Sequence, residues 1–179
     1  MLIQEYQERW PHDFEAIKSV LHSVLNETLC VIEHVGSTAV PQLAAKPIID
    51  IDIVYTEQQQ FAVIKAGLAS LGYFHNGDQG LPGREVFKRG ISGTTHPVLD
   101  TIVHHLYVCM KGSAQLNRHL LLRNYLRAHP EARAVYQQMK YELAVEAKQD
   151  RKRYAALKEE KANVFIDAVL EKAKGELGV

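Results

Sequence analysis

The stretch HVGSTAVPQLAAKPIIDIDIV, residues 34–54, decides the fold of this chain. A short β-prone run ends at Gly36-Ser37, and about a dozen small or apolar residues, bracketed by prolines, predict a loop with at most a short helix. The next strand alternates strictly, so Asp50 and Asp52 share one face while the isoleucines between them face the other. The pattern therefore predicts two carboxylates standing beside the end of a Gly-Ser loop.

These residue types suit phosphate and metal binding. Carboxylates two positions apart on a strand lie roughly 6.5–7 Å apart at Cα, and their side chains can converge on a hard cation such as Mg²⁺. A glycine lets a backbone N–H approach a phosphate group, and the hydroxyl group of Ser37 adds a donor. An isolated D-x-D is more often the solvated face of an edge strand. The Gly-Ser loop before it favours a site for phosphoryl or nucleotidyl transfer, with Asp50 and Asp52 as metal ligands and catalytic residues.

Hydrophobic periodicity predicts an α/β or α+β fold. An amphipathic helix is expected from Pro11 to Leu25 and another from Glu57 to Leu71, closed by Gly72. Strands are expected at Leu29–Val35, 47–55, 84–90 and 101–110, with an exposed loop at 75–84. Two or three helices follow Gly112. We expect one domain over residues 1–179, with a core of about 1–110 and a helical part of about 111–179.

The stretch at residues 34–54 resembles the signature of the GrpB family, which belongs to the nucleotidyltransferase superfamily. LRNYLRAHPEARAVYQQMKYELA, residues 122–144, resembles the second conserved stretch of that family, and Trp10-Pro11 with Phe14 resembles its opening. The resemblance implies a nucleotidyltransferase-like mixed sheet flanked by helices, with the Gly-Ser and D-x-D elements binding nucleotide phosphates and Mg²⁺. Related domains are also found joined to dephospho-CoA kinases.

The resemblance also implies a third carboxylate on a later strand. The expected strand is TIVHHLYVC, residues 101–109, and neither of its faces carries an acid. Asp100 lies just before this strand and Glu85 begins the preceding strand. Each can equally well be a surface residue. His105 is the candidate replacement, although an imidazole cannot reproduce a hard anionic ligand for Mg²⁺. The chain also departs from the family at Gln42, where glycine is usual, at Asn124 (aspartate) and at Tyr107 (histidine).

Several basic groups are candidates for the phosphate site. Lys46 lies between the Gly-Ser loop and the acidic strand, and His34 precedes Gly36 by two positions. Arg123, Arg127 and Lys140 lie in the second family-like stretch and could complete an anion-binding wall. A solvated helix face, an exposed loop lysine and a structural histidine are the alternatives.

Composition limits the other possibilities. Basic and acidic residues number 21 each, so no bulk charge favours nucleic acid or membrane. The N-terminus lacks a signal-peptide layout, and no apolar run approaches the roughly 20 residues of a membrane span. Cys30 and Cys109 are expected as reduced, buried thiols, which suits a cytoplasmic protein. Zinc-site spacing is absent.

Two hypotheses follow. The first is a nucleotidyltransferase-like protein that binds a nucleoside triphosphate with Mg²⁺ and transfers a nucleotidyl group to an unknown acceptor. The second is a non-catalytic module that binds a nucleotide or a CoA-type cofactor, retaining the phosphate site without the third carboxylate. In both, the partner is a nucleotide or a related phosphorylated small molecule.

Overall fold

The computed structural model describes residues 1–26, 30–90 and 95–177, the last of these without its side chain. Within them one sheet has five strands: β1 Val31–Val35, β2 Ile49–Tyr55, β3 Tyr73–His75, β4 Arg84–Arg89 and β5 His104–Met110. Their order across the sheet is β1-β2-β5-β4-β3. Strand β2 runs parallel to β5, and the other neighbouring pairs are antiparallel. The sheet is therefore mixed, as the sequence predicts.

The four predicted strands are present, and β3 is an addition. Its three residues are too few for alternation to be visible in the sequence, and β3 forms because its backbone pairs with β4. Leu29, the predicted first residue of β1, lies outside the described residues, and the observed strand begins at Val31.

Two helices cover the sheet face opposite Asp50 and Asp52. They are α1, Arg9–His22, and α2, Gln60–Ser70. Helix α2 begins three residues later than Glu57 because the side-chain oxygen of Gln60 accepts from the backbone N–H groups of Thr56 and Glu57. The apolar face of each helix packs on the isoleucines of β2, which are almost fully buried. Burial of this surface is the main stabilising contribution.

The helical part begins after a glycine with positive φ at position 112. Its helices are α3 Ala114–Ala128, α4 Pro130–Glu146, α5 Arg151–Leu157 and α6 Asn163–Leu177. A π-helical turn, Lys158–Ala162, joins α5 and α6 into one continuous rod. The helical part therefore contains three continuous helical segments, α3, α4 and α5–α6, which agrees with the predicted two or three helices.

The helical part shares a second core with the loop between β1 and β2. Val40, Leu43 and Ala44 of that loop are buried against Leu126 and Tyr136. The loop after Gly36-Ser37 is therefore held between the sheet and the helices. Among the described helices, none is long and apolar enough to span a bilayer.

Candidate functional site

Strand β2 places Asp50 and Asp52 at the junction of the sheet with the helical part. Asp52 is fully buried, and the side chain of Asp50 is 29% exposed. The parallel register sets Asp50 beside His105 and Asp52 beside Tyr107 on β5. Because neighbouring residues in register point to the same face, these four side chains form one polar patch.

Gly36 lies directly against the first carboxylate. Its φ is +72°, and a Cβ atom added there would lie 2.3 Å from Oδ2 of Asp50. Only glycine combines that backbone conformation with such a close approach. The chain then turns through a 3₁₀ helix, Ser37–Ala39, which agrees with the short helix allowed for this loop. The geometry brings the Gly-Ser backbone and the carboxylate into contact.

A histidine binds each of the two carboxylates. Nδ1 of His105 lies 2.9 Å from Oδ1 of Asp50, and Nδ1 of His119 lies 2.8 Å from Oδ2 of Asp52. Sequence reasoning includes His105 and misses His119, which comes from α3. Its signal is the four-residue spacing to Arg123, which puts both side chains on one helix face.

The remaining carboxylate oxygens fit a divalent cation. Oδ1 of Asp52 is buried and has no hydrogen-bond donor within the described residues. A buried charged oxygen without a donor is costly unless another group binds it. Mg²⁺ is usually held by one or two carboxylates, with phosphate oxygens and water completing the shell. Asp50 and Asp52 have the oxygen chemistry that this arrangement requires.

Neither of the two further acids considered from the sequence joins them. Glu85 is hydrogen-bonded to His75 at 2.6 Å, and Asp100 pairs with Arg89 at 2.7 Å. Over the described ranges, no group of three or more His, Cys, Asp or Glu side chains is arranged to hold a metal ion. The two acids considered from the sequence are therefore engaged elsewhere.

A cavity of about 660 Å³ opens above this patch, between the sheet and the helical part. Gly36, Ser37 and Asp50 line its floor, and Arg118, His119 and Arg123 of α3 line a wall. The π-helical turn and the start of α6 close it with Lys158 and Asn163. The size suits a ligand as large as a nucleotide.

Arg123 is fixed to β1 at the edge of this cavity. Its Nη1 donates to Oε2 of Glu33 at 2.7 Å and to the carbonyl oxygen of His34 at 2.9 Å. One hydrogen-bonding edge of the guanidinium group thus holds α3 against the sheet. The predicted phosphate-binding role of Arg123 remains a prediction, and the structure adds an anchoring role.

Three lysines surround a smaller cavity of about 250 Å³ beside Ser37 and Asp50. Nζ of Lys46 lies 4.6 Å from the centroid of the Tyr154 ring. Burial is the main cause that lowers the pKa of Lys46, and the positive charge of Lys158 is the next. Lys140 is 2% exposed and donates to the carbonyl oxygen of Ala44, and burial lowers its pKa well below the ordinary value. Lys158, which sequence reasoning misses, lines both cavities.

His34 lies behind the site. Its Nε2 is 3.1 Å from Oγ1 of Thr38, whose hydroxyl group donates to the carbonyl oxygen of Ile48. The histidine therefore donates to Thr38, and its ring stacks on Phe14 with centroids 4.7 Å apart. Burial lowers its pKa to about 4, so the ring is neutral at pH 7. His34 is not one of the described residues that line the two cavities beside Ser37. It packs behind the loop that carries Ser37 and supports it.

The departures from the family have visible structural consequences. Gln42, where glycine is usual, takes φ +64°, a conformation that favours glycine, and accepts from Arg133. The side-chain oxygen of Asn124 accepts from Nε of Arg123 at 3.0 Å. Tyr107 lies under the guanidinium group of Arg84, 4.7 Å away.

Comparison with known sequences decides the family. Residues 1–172 match the family model described as GrpB protein. The chain belongs to the GrpB family. It is 33% identical to UPF0157 protein YqkA of Bacillus subtilis over 94% of this chain, and 36% identical to UPF0157 protein PA4798 of Pseudomonas aeruginosa over 84%. It spans 46% and 60% of the lengths of these two GrpB-family relatives.

Solved structures agree with this assignment. The crystal structure of the conserved protein GrpB from Enterococcus faecalis matches with a TM-score of 0.78 and 30% identity, over 99% of each chain. Cid1 in complex with its short product ApU matches with a TM-score of 0.54 and 13% identity, over 79% of this chain and 42% of Cid1. A Cid1 poly(U) polymerase mutant bound to MgATP matches at a TM-score of 0.53 and 11% identity, over 82% and 45%. At these identities Cid1 shows the fold alone, which is nucleotidyltransferase-like.

Proposed function

We propose that this chain binds a nucleoside triphosphate with Mg²⁺ in the 660 Å³ cavity and transfers a nucleotidyl group to an acceptor. The observation that carries the proposal is the buried Oδ1 of Asp52, which has no donor in the described part of the chain. It lies on the same face of β2 as Asp50, whose carboxylate contacts Gly36. Asp50 and Asp52 would hold the cation, and the Gly36-Ser37 segment would bind phosphate oxygens.

In this reaction an acceptor hydroxyl oxygen forms a bond to the α-phosphorus. The bond from that phosphorus to the bridging oxygen breaks, pyrophosphate leaves with the electron pair, and the hydroxyl proton passes to water. Bound Mg²⁺ would neutralise charge on the phosphates. His105 and His119 would orient the two aspartates. Lys46 and Lys158 would supply positive charge beside the triphosphate, and Lys140 would supply an amine donor.

A second candidate function follows because the described residues place no third carboxylate beside Asp50 and Asp52. Within the described residues Glu85 and Asp100 are engaged elsewhere, and the position on β5 beside Asp50 carries His105. A module that binds a nucleotide or a CoA-type cofactor without turnover would need only the phosphate site.

Calorimetric titration separates the two candidates. The wild-type chain is titrated with ATP, GTP, CTP, UTP and CoA, with and without Mg²⁺, and each compound that binds is assayed for pyrophosphate release. Mg²⁺-dependent binding with pyrophosphate release supports the enzyme. Binding without release supports the module, and the absence of binding by all five compounds rejects both.

The double variant Asp50→Asn/Asp52→Asn tests the site itself. It should lose Mg²⁺-dependent nucleotide binding, because the amide side chains remove both anionic ligands. Ser37→Ala should weaken binding less, by about tenfold, since it removes one neutral donor. Asp13→Asn, on the far helix α1, is the matched control and should bind like the wild type. Unchanged affinity in the double variant would refute the assignment.

A further inference from the structure

The sheet face that carries Asp50 and Asp52 continues onto β5 and β4. The antiparallel register pairs Val86 with Tyr107 and Arg84 with Cys109. Because side chains alternate along a strand, Arg84, Val86 and Lys88 all point to the same face as Tyr107. The polar patch around the aspartates therefore extends sideways onto a strip of β4 that carries two basic side chains.

A cavity of about 650 Å³ lies over this strip. We name it the β4–β5 groove, and its lining includes Arg84, Val86, Lys88, His105 and Tyr107. Tyr107 also lines both cavities that contain Ser37 and Asp50, and His105 lines the smaller of them. The groove and the proposed nucleotide cavity thus meet at these two residues of β5, beside Asp50.

Two cationic side chains of the groove, Arg84 and Lys88, have no carboxylate partner among the described residues, whereas Arg89 is paired with Asp100. The guanidinium group of Arg84 stacks over the Tyr107 ring, and its Nε is buried without an acceptor in the described ranges. Lys88 is exposed and forms no ion pair with any described carboxylate within 4.0 Å. Asp100, at the rim, is already bound by Arg89 and by the backbone N–H of His96. A guanidinium group without a protein acceptor keeps hydrogen-bonding capacity that an anion in the groove could use.

We propose that the β4–β5 groove binds the acceptor substrate, and that this acceptor is a small phosphorylated molecule whose phosphate group contacts Arg84 and Lys88. The term acceptor rests on the proposed transferase function, whereas the anion site in the groove does not. Arginine stacked on an aromatic ring presents its N–H edge to phosphate in a fixed orientation. A phosphate bound there leaves the rest of the acceptor directed along Tyr107 and His105 toward Asp50.

Size and charge favour a small molecule over a polynucleotide. The groove volume lies within the range of pockets for metabolite-sized ligands. A polynucleotide is usually held by several cations along its backbone. Here two unmatched cations line the described part of the groove, and the whole chain has equal numbers of basic and acidic residues. One phosphate group would balance the two positive charges of Arg84 and Lys88.

Side-chain NMR spectroscopy tests the groove directly, with ribose 5-phosphate as the probe. The N–H resonance of Arg84 Nε is assigned by its loss in Arg84→Lys. Titration of the wild type should shift this resonance and the Lys88 amide saturably, and leave the Gly36 and Ser37 amides unchanged. Arg84→Gln and Lys88→Gln should each weaken binding about tenfold. Lys65→Gln, an exposed lysine on α2, is the matched control and should bind like the wild type.

Three results would overturn the proposal. They are shifts confined to Gly36 and Ser37, equal affinity in Arg84→Gln and wild type, and tighter binding of a single-stranded oligouridylate at the same resonances. A parallel titration with the triphosphates and Mg²⁺ reports on Gly36 and Ser37 separately. Failure of that titration alone rejects the transferase, and failure of the ribose 5-phosphate titration alone rejects the groove.

Discussion

At Gly36 the backbone conformation and the position of the Asp50 carboxylate depend on each other. We predict that Gly36→Ala lowers stability and abolishes Mg²⁺-dependent nucleotide binding, because the new Cβ would lie 2.3 Å from Oδ2 of Asp50. The backbone conformation alone, φ +72° with ψ −169°, is essentially restricted to glycine and costs an L-residue about 1–3 kcal/mol. Displacement of the carboxylate adds to that cost and disturbs a cation ligand. Urea unfolding and calorimetric titration measure the two effects.

Gly77→Ala is a matched control for this prediction. Gly77 also has a positive φ, +69°, and a Cβ atom added there would meet no heavy atom within 4 Å. This variant should therefore show a cost of positive φ without the clash and should bind nucleotide normally. Equal stability and equal binding in the two variants would contradict the role assigned to the contact between Gly36 and Asp50.

At this scale the sequence predicts the residues that are close along the chain. Asp50, Asp52, Gly36 and Ser37 follow from strand alternation and a short loop. His119 does not, because it reaches Asp52 from 67 positions away, after the chain has formed three more strands and a helix. Only the packing of α3 on the sheet makes that contact.

At the scale of elements, His34 connects β1 to the turn after Gly36, and this connection should depend on pH. Burial lowers the pKa of His34 to about 4, below the ordinary value near 6.5. The folded state thus binds fewer protons than the unfolded state between these values. Stability is fully present above pH 6.5 and is lost as the pH falls toward 4, by at most roughly 3 kcal/mol.

We predict that His34→Gln flattens this pH dependence, because glutamine can still donate to Thr38 but does not titrate. Urea unfolding between about pH 7.5 and about pH 4.5 measures the slope. Part of it should remain, since burial also lowers the pKa of His104. His12→Gln, an exposed position on α1, is the control and should keep the wild-type slope. The same slope in His34→Gln would contradict the assignment.

Elements were predictable where they are long and periodic. The alternation of β2 and the apolar faces of α1 and α2 specify those elements from local sequence alone. Strand β3 was not predictable, because three residues give no period and its pairing with β4 depends on the whole sheet. The position of the third carboxylate implied by the family resemblance also depends on strand pairing, because the residue of β5 that lies beside Asp50 is His105.

At the scale of the whole molecule, Lys140 joins the helical part to the loop between β1 and β2. We predict that Lys140→Met changes stability little, because it removes the desolvation cost of a buried amine but leaves the carbonyl oxygen of Ala44 without that donor. The same variant should weaken triphosphate binding about tenfold through loss of an amine donor beside Ser37. Urea unfolding and titration with the triphosphate that the wild type binds measure both effects.

Lys152→Met, at an exposed position on α5, should change neither quantity. If Lys140→Met folds normally and binds triphosphate as tightly as the wild type, Lys140 is only a structural residue. The expected separation of stability from binding follows from the position of Lys140, which is almost fully buried between the helical part and the loop and also lines a cavity.

The π-helical turn between α5 and α6 holds one residue more than an α-helical turn, because its hydrogen bonds join residues five apart instead of four. Deleting one residue from Lys158–Ala162 would therefore let the helix continue as regular α-helix with α6 in nearly the same angular position. Ile166 and Leu170 would stay in the second core, and Asn163 would stay in the cavity wall. The side chains of the turn itself would change direction, and Lys158 among them lines both cavities beside Ser37. The extra residue thus sets what the turn presents to the site and leaves the packing of α6 unchanged.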